Sequence, residues 1–249
     1  MRTYAIGDIH GQLELLKAAH ARIADDIARH GPAPIVHIGD LVDRGPDNPG
    51  VIDHLMQGIA QGQDWIVLLG NHDRMFTGFL RDLHWHDPRL RRDLSYLHPR
   101  IGGAETLASY GVRSAADRPL APVHAEAVLA VPQAHRDFLE SLPTSFARGE
   151  VFFAHAGIRP GVALDRQSQD DLCWIRDEFL EDRRDHGPLI VHGHTHLARA
   201  THYGNRVNLD SGAAYGGPLT AVVLEGREVF VLTDEGRQAL PITPDAPVR

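Results

Sequence analysis

A single cysteine, Cys173, stands in the 249 residues, which excludes an internal disulfide framework and any Cys-rich zinc module. No stretch approaches the roughly 18 consecutive apolar residues that a membrane helix needs, and the first apolar run, Tyr4 to Ile6, is cut short by Asp8 and His10. Neither a spanning segment nor a secretory signal is expected, and the chain reads as cytoplasmic. Positive charge is also in short supply. Twenty-five basic against 33 acidic residues leave a net charge of −8, so neither a nucleic-acid partner nor a membrane partner is expected, although a local phosphate pocket is allowed.

What is present points elsewhere. A 43 per cent hydrophobic and 23 per cent charged composition fits one globular domain, taken here as residues 1–249. Seventeen histidines supply imidazole, the commonest metal ligand and the usual acid or base near neutral pH.

Along the chain an apolar strand, Thr3 to Gly7, leads through a turn at Asp8 to Gly11 into a helix from Gln12 to about Arg29, with Leu13, Leu16, Ala19 and Ile23 on one face. The unit repeats with a strand at Ile35–Ile38 and a helix at Val51–Ile59, and again from Trp65 to Leu69. Strands alternating with helices predict a mainly parallel sheet whose ligand site lies beyond the carboxyl ends of the strands. Between about residues 75 and 142, helical stretches broken by Pro88, Pro99, Gly102-Gly103 and Pro132 read as a helical insertion. Strands return at Val151–Ala154, Leu189–Val191 and Arg206–Leu209, followed by a hairpin of Leu219–Leu224 and Glu228–Leu232, and a second sheet is expected. The tail, about 239–249, contains three prolines and reads as loosely held.

Five polar clusters each follow a predicted strand: Gly7-Asp8-Ile9-His10-Gly11, Gly39-Asp40-Leu41-Val42-Asp43-Arg44-Gly45, Gly70-Asn71-His72-Asp73, His155-Ala156-Gly157 and Gly193-His194-Thr195. Glycine permits tight turns and close backbone approach to an ion or phosphate. Any one cluster could be a turn with a helix N-cap, but five in succession place Asp, His, Asn and Arg at neighbouring strand ends. Oxygen and imidazole donors without thiolate suit Mn²⁺, Fe or Zn²⁺ in an open catalytic site.

Read as GDIHG, GDLVDRG, GNHD, HAG and GHT, the clusters resemble the signature of the phosphoprotein phosphatase family of calcineurin-like metallophosphoesterases, in its bacterial and phage form. The resemblance runs from residue 4 to about 232. It implies an α/β/β/α sandwich of two mixed β-sheets with a dinuclear metal centre at the strand ends, Mn²⁺ being the first choice of cofactor with Fe or Zn²⁺ as alternatives. Position by position, Asp8 and His10 resemble ligands of the first ion, Asp40 the bridging carboxylate, and Asn71, His155 and His194 the ligands of the second. The resemblance implies attack by a metal-bridging hydroxide, with His72 as the proton donor and Asp43 as the carboxylate that orients it and favours imidazolium. Arg44 and Arg176 match phosphate-holding arginines, whose planar forks pair with phosphate oxygens; Asn71 and Tyr215 also border the substrate. Only His194 of the three histidines in His192–His196 fits the ligand pattern. His84 and His86 are expected to face solvent, and Cys173 to be packed.

The activity implied first is hydrolysis of phosphoserine and phosphothreonine, with phosphotyrosine also accessible, in a phosphorylated protein or peptide. The nearest alternative is a symmetrical diadenosine tetraphosphate hydrolase. That group usually lacks an acid at the position of Asp43 and carries Trp where this chain has Thr195, which weighs towards the phosphatase. A noncatalytic metal-dependent scaffold is a third reading, disfavoured because no matching position is missing. Substrate identity and oligomeric state are not encoded in these motifs.

Overall fold

The computed structural model describes residues 1–247; the last two residues of the expected tail lie outside the described residues. The first strand, β1 (Arg2–Ile6), runs into helix α1 (Leu13–His30), and the same pattern repeats with β2 (Ile35–His37), α2 (Asn48–Ala60) and β3 (Trp65–Val67). Helix α2 starts three residues before the expected Val51, because the Asp47 side chain accepts from the Gly50 N–H and Pro49 occupies the first turn. Four helices follow: α3 (Asn71–Arg81), α4 (Gly103–Ser109), α5 (Leu120–Ala130) and α6 (Gln133–Glu140). No strand interrupts these helices of the expected insertion, and the first of them begins at Asn71 rather than Met75.

The second half supplies β4 (Ser145–Arg148), β5 (Val151–Ala154), short helices α7 (Gln169–Trp174) and α8 (Asp177–Leu180), then β6 (Leu189–His192), β7 (Thr201–His202) and β8 (Arg206–Asn208). A meander of β9 (Ala221–Glu225), β10 (Glu228–Thr233) and β11 (Gly236–Ala239) closes the chain. Two mixed sheets result, ordered β11-β10-β9-β1-β2-β3 and β4-β5-β6-β8-β7. In the first, β1, β2 and β3 are parallel and the meander is antiparallel; in the second, β5, β6 and β8 are parallel between antiparallel edges. Strands β4, β7 and β11 were not expected. They are short edge strands such as Gly-Arg-Gln-Ala, whose polar side chains carry no alternating apolar signal. Beyond β11, Thr243 N donates to His202 O at 2.7 Å, so part of the tail is tied to β7.

The alternation of side chains along each strand builds the layers. Ala5, Val36 and Ile38 of the first sheet meet Phe153, Val191 and Val207 of the second in a core between the sheets. Tyr4 and Ile6 point the other way, into the helices α1 to α6. Phe152, Ala154 and Ile190 likewise face outward onto Leu172 and Phe179 of the short helices and Ile175 between them. Because both faces of each sheet are covered, the central strands read as near-continuous apolar runs. This is the expected α/β/β/α sandwich with two mixed sheets.

Candidate metal centre

The five clusters converge at the carboxyl ends of β1, β2, β3, β5 and β6. Of the six non-glycine residues with positive φ among those described, five belong to these clusters: His10 (47°), Asp40 (52°), Asp43 (74°), Arg44 (70°) and His194 (66°). Each costs of order 1–3 kcal/mol and persists only where the surroundings impose it. Two glycines show what the packing demands. A Cβ on Gly193 would sit 1.9 Å from Asp8 Oδ1, and one on Gly70 would sit 2.2 Å from Asp40 Oδ1.

Asp40 stands at the middle. Its Oδ2 lies 3.5 Å from His10 Nε2 and its Oδ1 3.4 Å from His155 Nε2, so one carboxylate faces two separate donor groups, His10/Asp40/His72 and Asp40/His155/His194. The imidazoles are aimed by carbonyls: His10 Nδ1 donates to Val42 O at 2.8 Å and His155 Nδ1 to Ile38 O at 3.0 Å. Both rings therefore present an Nε2 lone pair to the centre. Asn71 Oδ1 lies 2.9 Å from His155 Nε2 and 2.7 Å from His194 Nδ1. Asp8 Oδ2 accepts from His194 N at 2.9 Å, while Asp8 Oδ1 and His194 Nε2 are buried with no partner.

This donor set fits two divalent ions. Burial pushes Asp8 well above the usual carboxylate range, with Asp210 and Asp40 adding to it, and lifts Asp40 to about 8. Three buried carboxylates that repel one another, beside imidazoles that burial keeps neutral, are what a pair of dications would satisfy. Asp210 was missed at the level of sequence. It follows β8 in Asn208-Leu209-Asp210, another Asp just beyond a strand, but without the flanking Gly-His that marked the rest. It lines the cleft, and burial raises its pKa.

His72 and Asp43 form a buried pair, Nδ1 to Oδ2 at 2.7 Å. Asp43 Oδ1 accepts from Tyr96 Oη at 2.8 Å and Thr106 Oγ1 at 2.6 Å, two partners from the helical insertion that the motifs did not reveal. Burial, then Arg44, drives the His72 pKa well down, and burial raises Asp43 itself to about 7. The Nδ1 of His72 faces Asp43, and its Nε2 lies 2.9 Å from Arg44 Nη2. Asp73 takes no place among the donors; it braces the turn, accepting from Leu41 N at 2.8 Å and Gly70 N at 2.9 Å.

The centre opens into a cleft of about 820 Å³ lined by Arg44, Arg176, Trp174 and Tyr215, with Arg91 and Arg100 on the wall supplied by the insertion. Arg176 Nη1 donates to Thr195 Oγ1 at 2.9 Å, which aims it across the opening. His192 is buried and accepts from Arg206 at 3.1 Å, so it is no part of the centre, and His196 reaches only the cleft rim. His84 and His86 are exposed, and Cys173 is fully buried with its thiol pKa raised by burial.

The profile of the calcineurin-like phosphoesterases matches residues 1–224. The chain belongs to the calcineurin-like phosphoesterase family. It is similar to the asymmetrical bis(5'-nucleosyl)-tetraphosphatase PrpE of Anoxybacillus flavithermus, with 26% identity over 237 residues, 87% of this chain and 88% of the relative. It also resembles the symmetrical bis(5'-nucleosyl)-tetraphosphatase of Dechloromonas aromatica, at 27% over 287 residues, 97% and 99% of the two chains. A solved structure provisionally described as a diadenosine tetraphosphatase superposes with a TM-score of 0.61 at 23% identity over 92% of both chains; at that identity it speaks for the fold alone. The chain is thus a calcineurin-like phosphoesterase. The two relatives are named for dinucleoside tetraphosphates, not for the phosphoproteins to which the motifs first pointed.

Proposed function

We propose that this phosphoesterase hydrolyses bis(5'-nucleosyl) tetraphosphates with two divalent ions, Mn²⁺ foremost. One observation carries the reading: four arginines line the cleft, Arg44 and Arg176 near the donor set and Arg91 and Arg100 from the insertion, Arg91 being also paired with Asp93 at 2.6 Å. A single phosphoryl group can occupy one or two guanidinium forks, whereas a tetraphosphate carries charge enough for more of them. The near full-length similarity to two tetraphosphatases supports the same reading.

Asp8, His10 and Asp40 would hold one ion, and Asp40, Asn71, His155 and His194 the other. When bound, the ions supply Lewis-acid stabilisation of phosphoryl charge and a nucleophile at neutral pH. Arg44 and Arg176 grip phosphoryl oxygens, and Arg44 exchanges its bond to His72 Nε2 for one to the substrate. Asp43 fixes the His72 ring through Nδ1, which leaves Nε2 as the atom that holds and passes a proton beside the departing oxygen.

A second reading, the phosphoprotein phosphatase, draws support from the Asp43–His72 pair itself. A serine alkoxide is a poor leaving group and needs a placed proton donor, whereas a nucleotide departs as a stable phosphate anion and needs it less. Initial rates with Mn²⁺ on diadenosine tetraphosphate and on phosphoserine, phosphothreonine and phosphotyrosine peptides separate the two, with Asp40→Asn as blank. The expected result is a kcat/KM at least about tenfold higher on the dinucleotide, a difference of about 1.4 kcal/mol in transition-state binding. A preference for the peptides would return the protein to the phosphatases. Separating the products, two ADP or ATP plus AMP, assigns the bond that is cut.

A further inference from the structure

A second groove, also of about 820 Å³, adjoins the catalytic cleft and shares two of its lining residues, His196 and Tyr215. Its walls come from three segments: Leu197 to Thr201 after β6, Ser211 to Gly217 after β8, and the chain from Leu240 beyond β11. The chemistry changes at the shared residues. On one side lie four arginines. On the other, the described lining holds only Arg199 as a fixed cation and no carboxylate, among leucine, alanine, proline, serine and threonine. Such a surface is too sparsely charged for a polyphosphate and suits a ring system with hydrogen-bonding edges.

The ridge between the two is built rather than incidental. Gly212 (φ 76°) and Gly216 (φ 86°) bracket the single turn Ala213–Tyr215, and a Cβ on Gly217 would meet Ser211 O at 2.2 Å, so the loop closes tightly behind the tyrosine. Tyr215 is left 60% exposed, unlike a packing residue. Its ring stands 4.8 Å from the ring of exposed His196, and the guanidinium of Arg44 lies 5.3 Å from its centre. An aromatic surface therefore begins where the phosphate-binding arginines end.

We infer that the second groove binds one nucleoside of the dinucleotide, with the polyphosphate crossing the ridge at Tyr215 and His196 and a base stacking there. This rests on the tetraphosphatase reading and deepens it, since it names where that substrate's distal end lies. Neither end of a phosphopeptide calls for such a pocket.

The test fills the groove without touching the metal centre. Ala198 and Pro241 are exposed and line only the second groove. In Ala198→Trp and, from the opposite wall, Pro241→Trp, the KM for diadenosine tetraphosphate should rise about tenfold, as expected when a stacked base is lost. The kcat/KM for p-nitrophenyl phosphate should stay within about twofold of wild type in both, and Ala198→Ser should keep the wild-type KM. An unchanged dinucleotide KM in both tryptophan variants, or an equal loss on both substrates, overturns the groove assignment while leaving the tetraphosphatase reading in place. A wild-type protein that cleaves p-nitrophenyl phosphate but not the dinucleotide overturns that reading, and the groove assignment with it.

Discussion

Asp40 answers to more demands than any other side chain at the centre: a left-handed backbone, an oxygen towards each of two histidines, and a hydrogen bond from His72 N at 2.9 Å. Asparagine tolerates the same backbone and the same shape, so Asp40→Asn should fold with a near-native circular dichroism spectrum while binding less than one full complement of metal by elemental analysis and losing activity. Retained dimetal content would show that Asp40 is not shared between two ions. His72→Ala makes the opposite separation. Metal content should be unchanged, and turnover should fall roughly 10²-fold on substrates with poor leaving groups such as alkyl phosphates, with a smaller loss on diadenosine tetraphosphate. Unchanged turnover on alkyl phosphates would remove His72 from the role of proton donor.

Between elements, the polar links are where stability depends on conditions. His20 of α1 sits between His54 of α2 and His37 of β2, each nitrogen pair at 2.9 Å, with Trp65 of β3 stacked on it at 4.2 Å. The chain satisfies itself only when uncharged. His37 Nδ1 donates to Ile66 O at 3.2 Å, leaving its Nε2 to accept from His20, which in turn accepts from His54. Burial accordingly lowers His20 to about 2 and His37 to about 4 from an ordinary 6.5. The unfolded chain binds these protons more readily, so the stabilisation is complete above about pH 6.5 and is lost as pH falls towards those lowered values, by at most about 1.4 kcal/mol per pH unit per histidine. Urea midpoints at pH 7.5 and 5.5 should fall less in His20→Phe, which keeps the stack on Trp65, than in wild type; an equal fall would show that the cluster does not titrate. A second link joins the insertion to α7: Arg74 makes paired bonds to buried Asp87 at 2.7 and 3.0 Å and a third to Asp170 at 2.7 Å. Arg74→Ala leaves the buried Asp87 carboxylate without its cation, with only Arg89 N and Trp174 Nε1 donating to it, and should cost about 3 kcal/mol in chemical denaturation.

At the scale of the molecule, the two sheets face each other so that strand ends from both deliver donors to one point. β1, β2 and β3 bring Asp8, His10, Asp40 and Asn71, while β5 and β6 bring His155 and His194. Ions held there would tie the two halves together and bind only the folded chain. Chelation should therefore lower Tm, and saturation with Mn²⁺ at about 1,000 times its Kd should restore about 4 kcal/mol. Asp40→Asn should show little of this difference in a thermal melt. Equal melting of the chelated and Mn²⁺-loaded wild type would count against a metal centre that spans the sheets.

The sequence by itself determined the layers and the polar clusters at the strand ends. Central strands buried on both faces must be continuous apolar runs, and each is followed by a short Gly-containing polar cluster with Asp, His or Asn, so β1, β2, β3, β5, β6 and the clusters from Asp8 to His194 were readable from local pattern. Only the tertiary structure decided what depends on partners distant along the chain. Tyr96 and Thr106 reach Asp43 from 53 and 63 residues away, Asp210 joins Asp8 and Asp40 from far along the chain, and the lowered pKa of His72 follows from its burial beside Arg44. The edge strands, the three-histidine chain and the groove beyond Tyr215 belong to the same class. Their physics is that of surfaces and charges brought together by folding, and no spacing of residues along the chain records it.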